Sequence, residues 1–125
     1  MSTCHGHASS VLAVAAMPDG QRILSGAVDK TICMHRLNGT LENIFKLHDG
    51  CVNALVALPD NQHALSASHD NTVKLFNVNG GAVLRTFTDG PERRCSLALL
   101  PDGRRFVSSS SDNTARIIEH GLAPF

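Results

Sequence analysis

The chain has 125 residues, 42% of them apolar, with 11 basic and 11 acidic side chains and zero formal net charge. That length fits one ordinary domain, and the apolar content argues against intrinsic disorder. The balanced charge argues against a role driven by attraction to nucleic acid or to a membrane surface.

The first dense stretch is Cys4-His5-Gly6-His7, three potential zinc ligands in four positions. After it "SVLAVAA" reads as a strand. Pro18-Asp19-Gly20 is turn chemistry, since Pro presets φ and Gly accepts positive φ. A short run "RILSG" follows, then a second turn at Asp29-Lys30-Thr31, a strand "TICMHRL", an Asn38-Gly39 turn and a strand "TLENIFK". The same order returns as "VNALVAL", Pro59-Asp60-Asn61, "HALSA", Asp70-Asn71-Thr72, "TVKLFNV", Asn79-Gly80 and "AVLRTFT". A third copy runs "CSLALL", Pro101-Asp102-Gly103, "RFVSS", Asp112-Asn113-Thr114 and "TARIIEH". Val73 and Leu75 alternate with Lys74 and Phe76, as the period of a strand requires. No stretch of ten or more residues keeps a helical period free of turn residues.

The copies keep one register. Pro18, Pro59 and Pro101 are 41 and 42 residues apart, and so are Ser25, Ser66 and Ser108, and Asp29, Asp70 and Asp112. Thr31, Thr72 and Thr114 follow two places after each Asp. The expected fold is therefore all-β: a single segment over residues 1–125 with units at about 7–46, 48–88 and 90–119 and a tail at 120–125. The first strand of each unit is rich in Ala and continuously apolar, which predicts burial on both faces.

A period near 41, four short strands per unit and an Asp in the turn before the third strand together resemble the WD-repeat β-propeller family. The resemblance covers about residues 6–119 and implies three four-stranded antiparallel blades, about 11 strands in all. Three blades fall short of the 4–8 of a closed ring, so an incomplete ring is expected, and two copies would supply six blades. The resemblance also implies a hydrogen-bonded set in each blade, in which a His bridges the turn Asp and the strand Ser. Carried onto this sequence, the sets are His7, Ser25 and Asp29, and His48, Ser66 and Asp70. The third copy keeps Ser108 and Asp112, but the position of the His falls on Gly90. The family's Trp position holds His35, Phe76 and Ile118.

Such a set superficially resembles a hydrolase triad. A catalytic group occurs once per fold, however, whereas this one recurs, and that favours a structural role. No enzyme activity and no cofactor are expected. The function implied is a protein–protein interaction scaffold or adaptor, a fragment or subunit that completes a larger propeller or complex. By the same resemblance partners dock on the narrower face, where Val28, His69 and Ser111 precede each turn Asp and Asp49 follows His48. Arg93 and Arg94 lie in an Arg-rich last repeat and are candidates for an acidic partner. The alternative function is metal binding at Cys4 and His5, with His7 removed to the blade set. Cys4, Cys33, Cys51 and Cys95 form no C-x-x-C pair, and no basic-then-apolar leader is recognisable. Reduced thiols in a cytoplasmic or nuclear protein are expected.

Overall fold

The computed structural model describes residues 7, 9–88, 94–110 and 114–121, and of residues 94 and 95 the backbone only. Eleven strands and no helix occur among these: β1 (Val11–Ala16), β2 (Arg22–Ala27), β3 (Ile32–Arg36), β4 (Leu41–Phe45), β5 (Val52–Ala57), β6 (His63–Ser68), β7 (Val73–Asn77), β8 (Val83–Phe87), β9 (Arg94–Leu99), β10 (Arg105–Ser110) and β11 (Ala115–Glu119). They form three antiparallel sheets in the orders β1-β2-β3-β4, β5-β6-β7-β8 and β9-β10-β11. Each sheet is one blade, and together they make a partial propeller.

The turns explain why the strands stop where they do. In the Pro-Asp turns the left-handed residue is Gly20, Asn61 or Gly103, at φ of 68°, 60° and 69°. The Asp carboxylate then accepts from the backbone N–H two residues on, from Gln21 to Asp19 at 2.8 Å, Gln62 to Asp60 at 2.9 Å and Arg104 to Asp102 at 2.9 Å. This Asx geometry locks the chain into the next strand. The second turns use Lys30 and Asn71 at positive φ. The third turn departs from expectation in the second unit. Gly39 takes the positive φ of the Asn38-Gly39 turn, but in blade 2 it is Gly81 and not Gly80 that does so. Gly81 also lies against Phe45 of blade 1, where an added Cβ would come within 2.7 Å of the ring.

Blades stack through their inner strands, β5 packing on β1 and β2 of blade 1 and carrying β9 of blade 3 on its other side. Two apolar layers result. One joins Leu24, Ile32, Met34 and Phe45 of blade 1 to Val52, Leu55, Ala64 and Phe76 of blade 2. The other joins Leu65, Ala67, Val73 and Leu75 of blade 2 to Phe106, with Leu97, Leu99 and Ile118 at its margin. Gly26 of β2 sits where a Cβ would meet Val52 at 2.5 Å, so the closeness of blades 1 and 2 depends on its missing side chain.

Burial corrects one expectation. The inner strands are not all covered on both faces. Leu55 of β5 is 7% exposed, but its counterpart Val14 of β1 is 69% exposed. Among the described residues blade 2 has a neighbour on each side, whereas one face of blade 1 and one face of blade 3 have none. The residue after the last strand is a second departure. His120, assigned by sequence to the tail, is fully buried and donates from Nε2 to the carbonyl of Gly103 at 2.6 Å. Its backbone N–H bonds Arg104 O at 3.0 Å, as the N–H of Val78 bonds Gln62 O at 2.9 Å, so it belongs to blade 3.

Candidate functional site

The sequence places a His in the segment before the first strand of a blade, a Ser in the second strand and an Asp in the turn after it. Antiparallel pairing brings all three to one edge of the sheet. In blade 2 the His48 ring sits 2.8 Å by Nδ1 from Asp70 Oδ2 and 2.6 Å by Nε2 from Ser66 Oγ. A carboxylate can only accept, so Nδ1–H donates to Asp70 and Nε2 accepts from the Ser66 hydroxyl. Thr72 is a further member: its hydroxyl donates to Asp70 Oδ1 at 2.5 Å and lies 3.2 Å from His48 Nδ1. The backbone N–H groups of Asp49 and Thr72 also donate to Asp70, at 3.1 and 3.0 Å. The Asp70 carboxyl is raised by burial, but the bonds from Thr72 and His48 outweigh this and hold it below its ordinary value. Burial also pushes the His48 imidazole below its ordinary value, only partly offset by Asp70. The resting pair is an ionised carboxylate and a neutral imidazole.

Blade 1 repeats the arrangement more loosely. His7 Nδ1 is 3.3 Å from both oxygens of Asp29 and 3.0 Å from Thr31 Oγ1, and His7 Nε2 is 2.8 Å from Ser25 Oγ. Cys33 Sγ lies 3.8 Å from His7 Nδ1. The Thr members were visible in the sequence as a column two places after the Asp, but no role had been attached to them. In blade 3 Ser108 is fully buried and its hydroxyl has no hydrogen-bond partner among the described residues. Gly90 and Asp112 lie outside those residues.

In the Trp column Phe76 and Ile118 carry no side-chain donor, so that column cannot complete the sets of blades 2 and 3 with one. Across β2 and β3, Ser25 faces Cys33, while His35 faces Ile23. Position 74, which matches Cys33, holds a Lys whose Nζ donates to Leu47 O at 2.5 Å.

As a reaction centre the sets are poorly placed. Ser66 has no exposed surface and Ser25 only 7%, so a substrate could not reach either hydroxyl. Their chemistry is to satisfy buried polar groups mutually and tie each outer turn to the blade.

Of the candidate docking residues, Val28 and His69 hold equivalent positions in blades 1 and 2, and the loop of Asp49 lies against that of His69. Val28, Asp49 and His69 are exposed. The Val28 N–H bonds Ser10 O at 3.0 Å and the His69 N–H bonds Cys51 O at 3.0 Å, which places both loops beside the starts of inner strands. A Cβ on Gly50 would lie 2.8 Å from Asp70 N and 3.1 Å from His69 Cβ, so the loop of Asp49 and the loop of His69 touch. Ser111 and Arg93 lie outside the described residues, and so does the Arg94 side chain. The remaining arginines disperse. Arg105 binds Asp102 at 2.8 Å on one face of β10, while Arg116 shares a row with Ser108 on the opposite face. Cys4 and His5 lie outside the described residues, and among the described residues no three His, Cys, Asp or Glu converge on a metal position.

No curated protein matches this chain. The model of the WD domain, G-beta repeat family matches it at residues 1–36, 39–77 and 81–119. Each of the last two matches begins with the outer strand of one blade and ends with the third strand of the next, so repeat and blade are offset by one strand. With those three matches spanning most of its length, the chain belongs to the WD domain, G-beta repeat family.

Proposed function

We propose that the chain is a non-catalytic protein–protein interaction scaffold that presents the rim around Val28, Asp49 and His69. WD repeats generally serve as interaction scaffolds, and the coarse role follows from membership of that family. The observation that carries the finer reading is the recurrence of the buried His–Ser–Asp–Thr set in two blades. It accounts for the chain's most reactive-looking residues as framework and leaves the exposed loops as the variable surface. The three rim residues differ in chemistry, so the rim carries no uniform charge. The partner is another protein. Nucleic acid and membrane are disfavoured by the zero net charge. Two free thiols, Cys33 and Cys51, favour a reducing compartment, cytoplasm or nucleus.

The experiment is affinity capture with the wild-type chain and with the combined variant Val28→Glu, Asp49→Lys, His69→Ala. Proteins recovered by the wild type and lost with the variant, at unchanged circular dichroism, support the rim. Equal recovery by both sinks it. Labelling of Ser25 or Ser66 by a serine-reactive probe would sink the framework reading of the sets.

A further inference from the structure

The two internal junctions use the same pair of columns. At the first, Met34 of blade 1 and Leu55 of blade 2 share one apolar layer. At the second, Leu75 of blade 2 meets the layer that holds Leu97 of blade 3. Met34, Leu75 and Ile117 are equivalent positions, separated by 41 and 42 residues, and so are Val14, Leu55 and Leu97. Met34, Leu75 and Leu55 are 1%, 0% and 7% exposed, because each lies within a junction. The two positions left over are Ile117 and Val14, 64% and 69% exposed. Ile117 belongs to the side of blade 3 that meets a following blade, and Val14 to the side of blade 1 that meets a preceding one. Leu12 and Ile44, 46% and 48% exposed, extend the apolar surface around Val14. The matching position to Lys74 on this face is the uncharged Cys33, so no cation opposes an apolar neighbour there.

We infer that the open face of blade 3 docks on the open face of blade 1 of a second copy, and reciprocally, to give a closed pair. One chain carries both halves of a junction that the fold already makes twice, so a second copy supplies each missing half. Head-to-tail contacts of this kind close into a ring when the rotation per blade permits. Two copies bring six blades, within the 4–8 of closed propellers. Closure covers apolar surface that otherwise stays in water.

Light scattering on the purified chain across a concentration series tests this. The expected mass plateaus at twice 13.3 kDa. Val14→Glu and Ile117→Glu each change an exposed side chain and leave the folded protomer intact by circular dichroism. Each weakens pairing on the order of 100-fold or more, because a lone charge is buried in an apolar junction. Mixing the two variants restores a dimer, since one junction then joins two unaltered faces. A monomer at all concentrations overturns the inference, and so does a mass that climbs without plateau. Loss of pairing with Val14→Glu but not with Ile117→Glu also overturns it, because blade 1 would then pair with blade 1. The outcome is independent of the rim: capture by Val28, Asp49 and His69 can fail while the mass doubles, and the reverse.

Discussion

Ser66 and Ser108 occupy the same column and have opposite surroundings. Ser66 donates to His48 inside a satisfied set, whereas Ser108 is buried with no partner among the described residues. Ser66→Ala leaves a buried imidazole nitrogen unpaired and should cost about 1–3 kcal/mol, while Ser108→Ala should be neutral or slightly stabilising. Urea titrations of both variants check the contrast, and equal losses would refute the roles given to them. The same set makes stability depend on pH. Burial holds the folded His48 below its ordinary 6.5, so the unfolded chain binds a proton that the folded chain resists. The contribution is complete above that value and is lost as pH falls from it toward the lower folded value. Asp70, held below its ordinary 3.8, adds a second loss in more acid solution, as pH falls through its folded value. Unfolding free energies at about pH 7.5 and about pH 5.5 should differ in the wild type and differ less in His48→Gln. At this scale the Ser, His and Asp columns were readable because each recurs at a fixed spacing. The loss of the His partner of Ser108 was readable from Gly90, but the full burial of its hydroxyl was not, because burial depends on which blade lies alongside.

Strand positions and turn types were the most legible elements, since Pro, Asp, Gly and Asn fix local φ before any packing occurs. The Asn79-Gly80 turn is instructive where it differs. Two consecutive glycines can both take the left-handed residue, and packing against Phe45 selects Gly81. Junctions between blades were less legible. Asp19 and Asn61 exchange two bonds across the first junction, of 3.0 and 3.1 Å, and Arg22 adds one to Asn61 O at 3.1 Å. The residue matching Asn61 in blade 3 is Gly103, which has no side-chain amide to do this. Gly26 marks the same junction from the inside. Gly26→Ala would drive a methyl into the fully buried Val52 and should cost about 1–3 kcal/mol. A melting temperature equal to the wild type would show that the blades can move apart there. Ala67, at the matching position of blade 2, already has a side chain, so the close approach belongs to the first junction alone.

At the scale of the molecule, blade 2 is the only blade flanked on both faces among the described residues. Hydrogen exchange should therefore be slowest in β6 and β7 and fastest in the outer strands β4 and β8. Mass spectrometry at peptide level reads this directly, and slower exchange in β4 than in β6 would contradict the layering. The sequence by itself determined the all-β class, the three-fold repeat and the positions of the turns, which follow from local backbone chemistry and from residues recurring in register. The His, Ser and Asp of the polar sets came from the family resemblance, and Thr31 and Thr72 were added by the structure. Only the tertiary structure decided which equivalent positions are core and which are surface. Leu55 and Val14 carry the same kind of side chain in the same column, and one is buried while the other faces water. The difference lies in the presence of a neighbouring blade, a long-range fact that no local stretch of sequence contains.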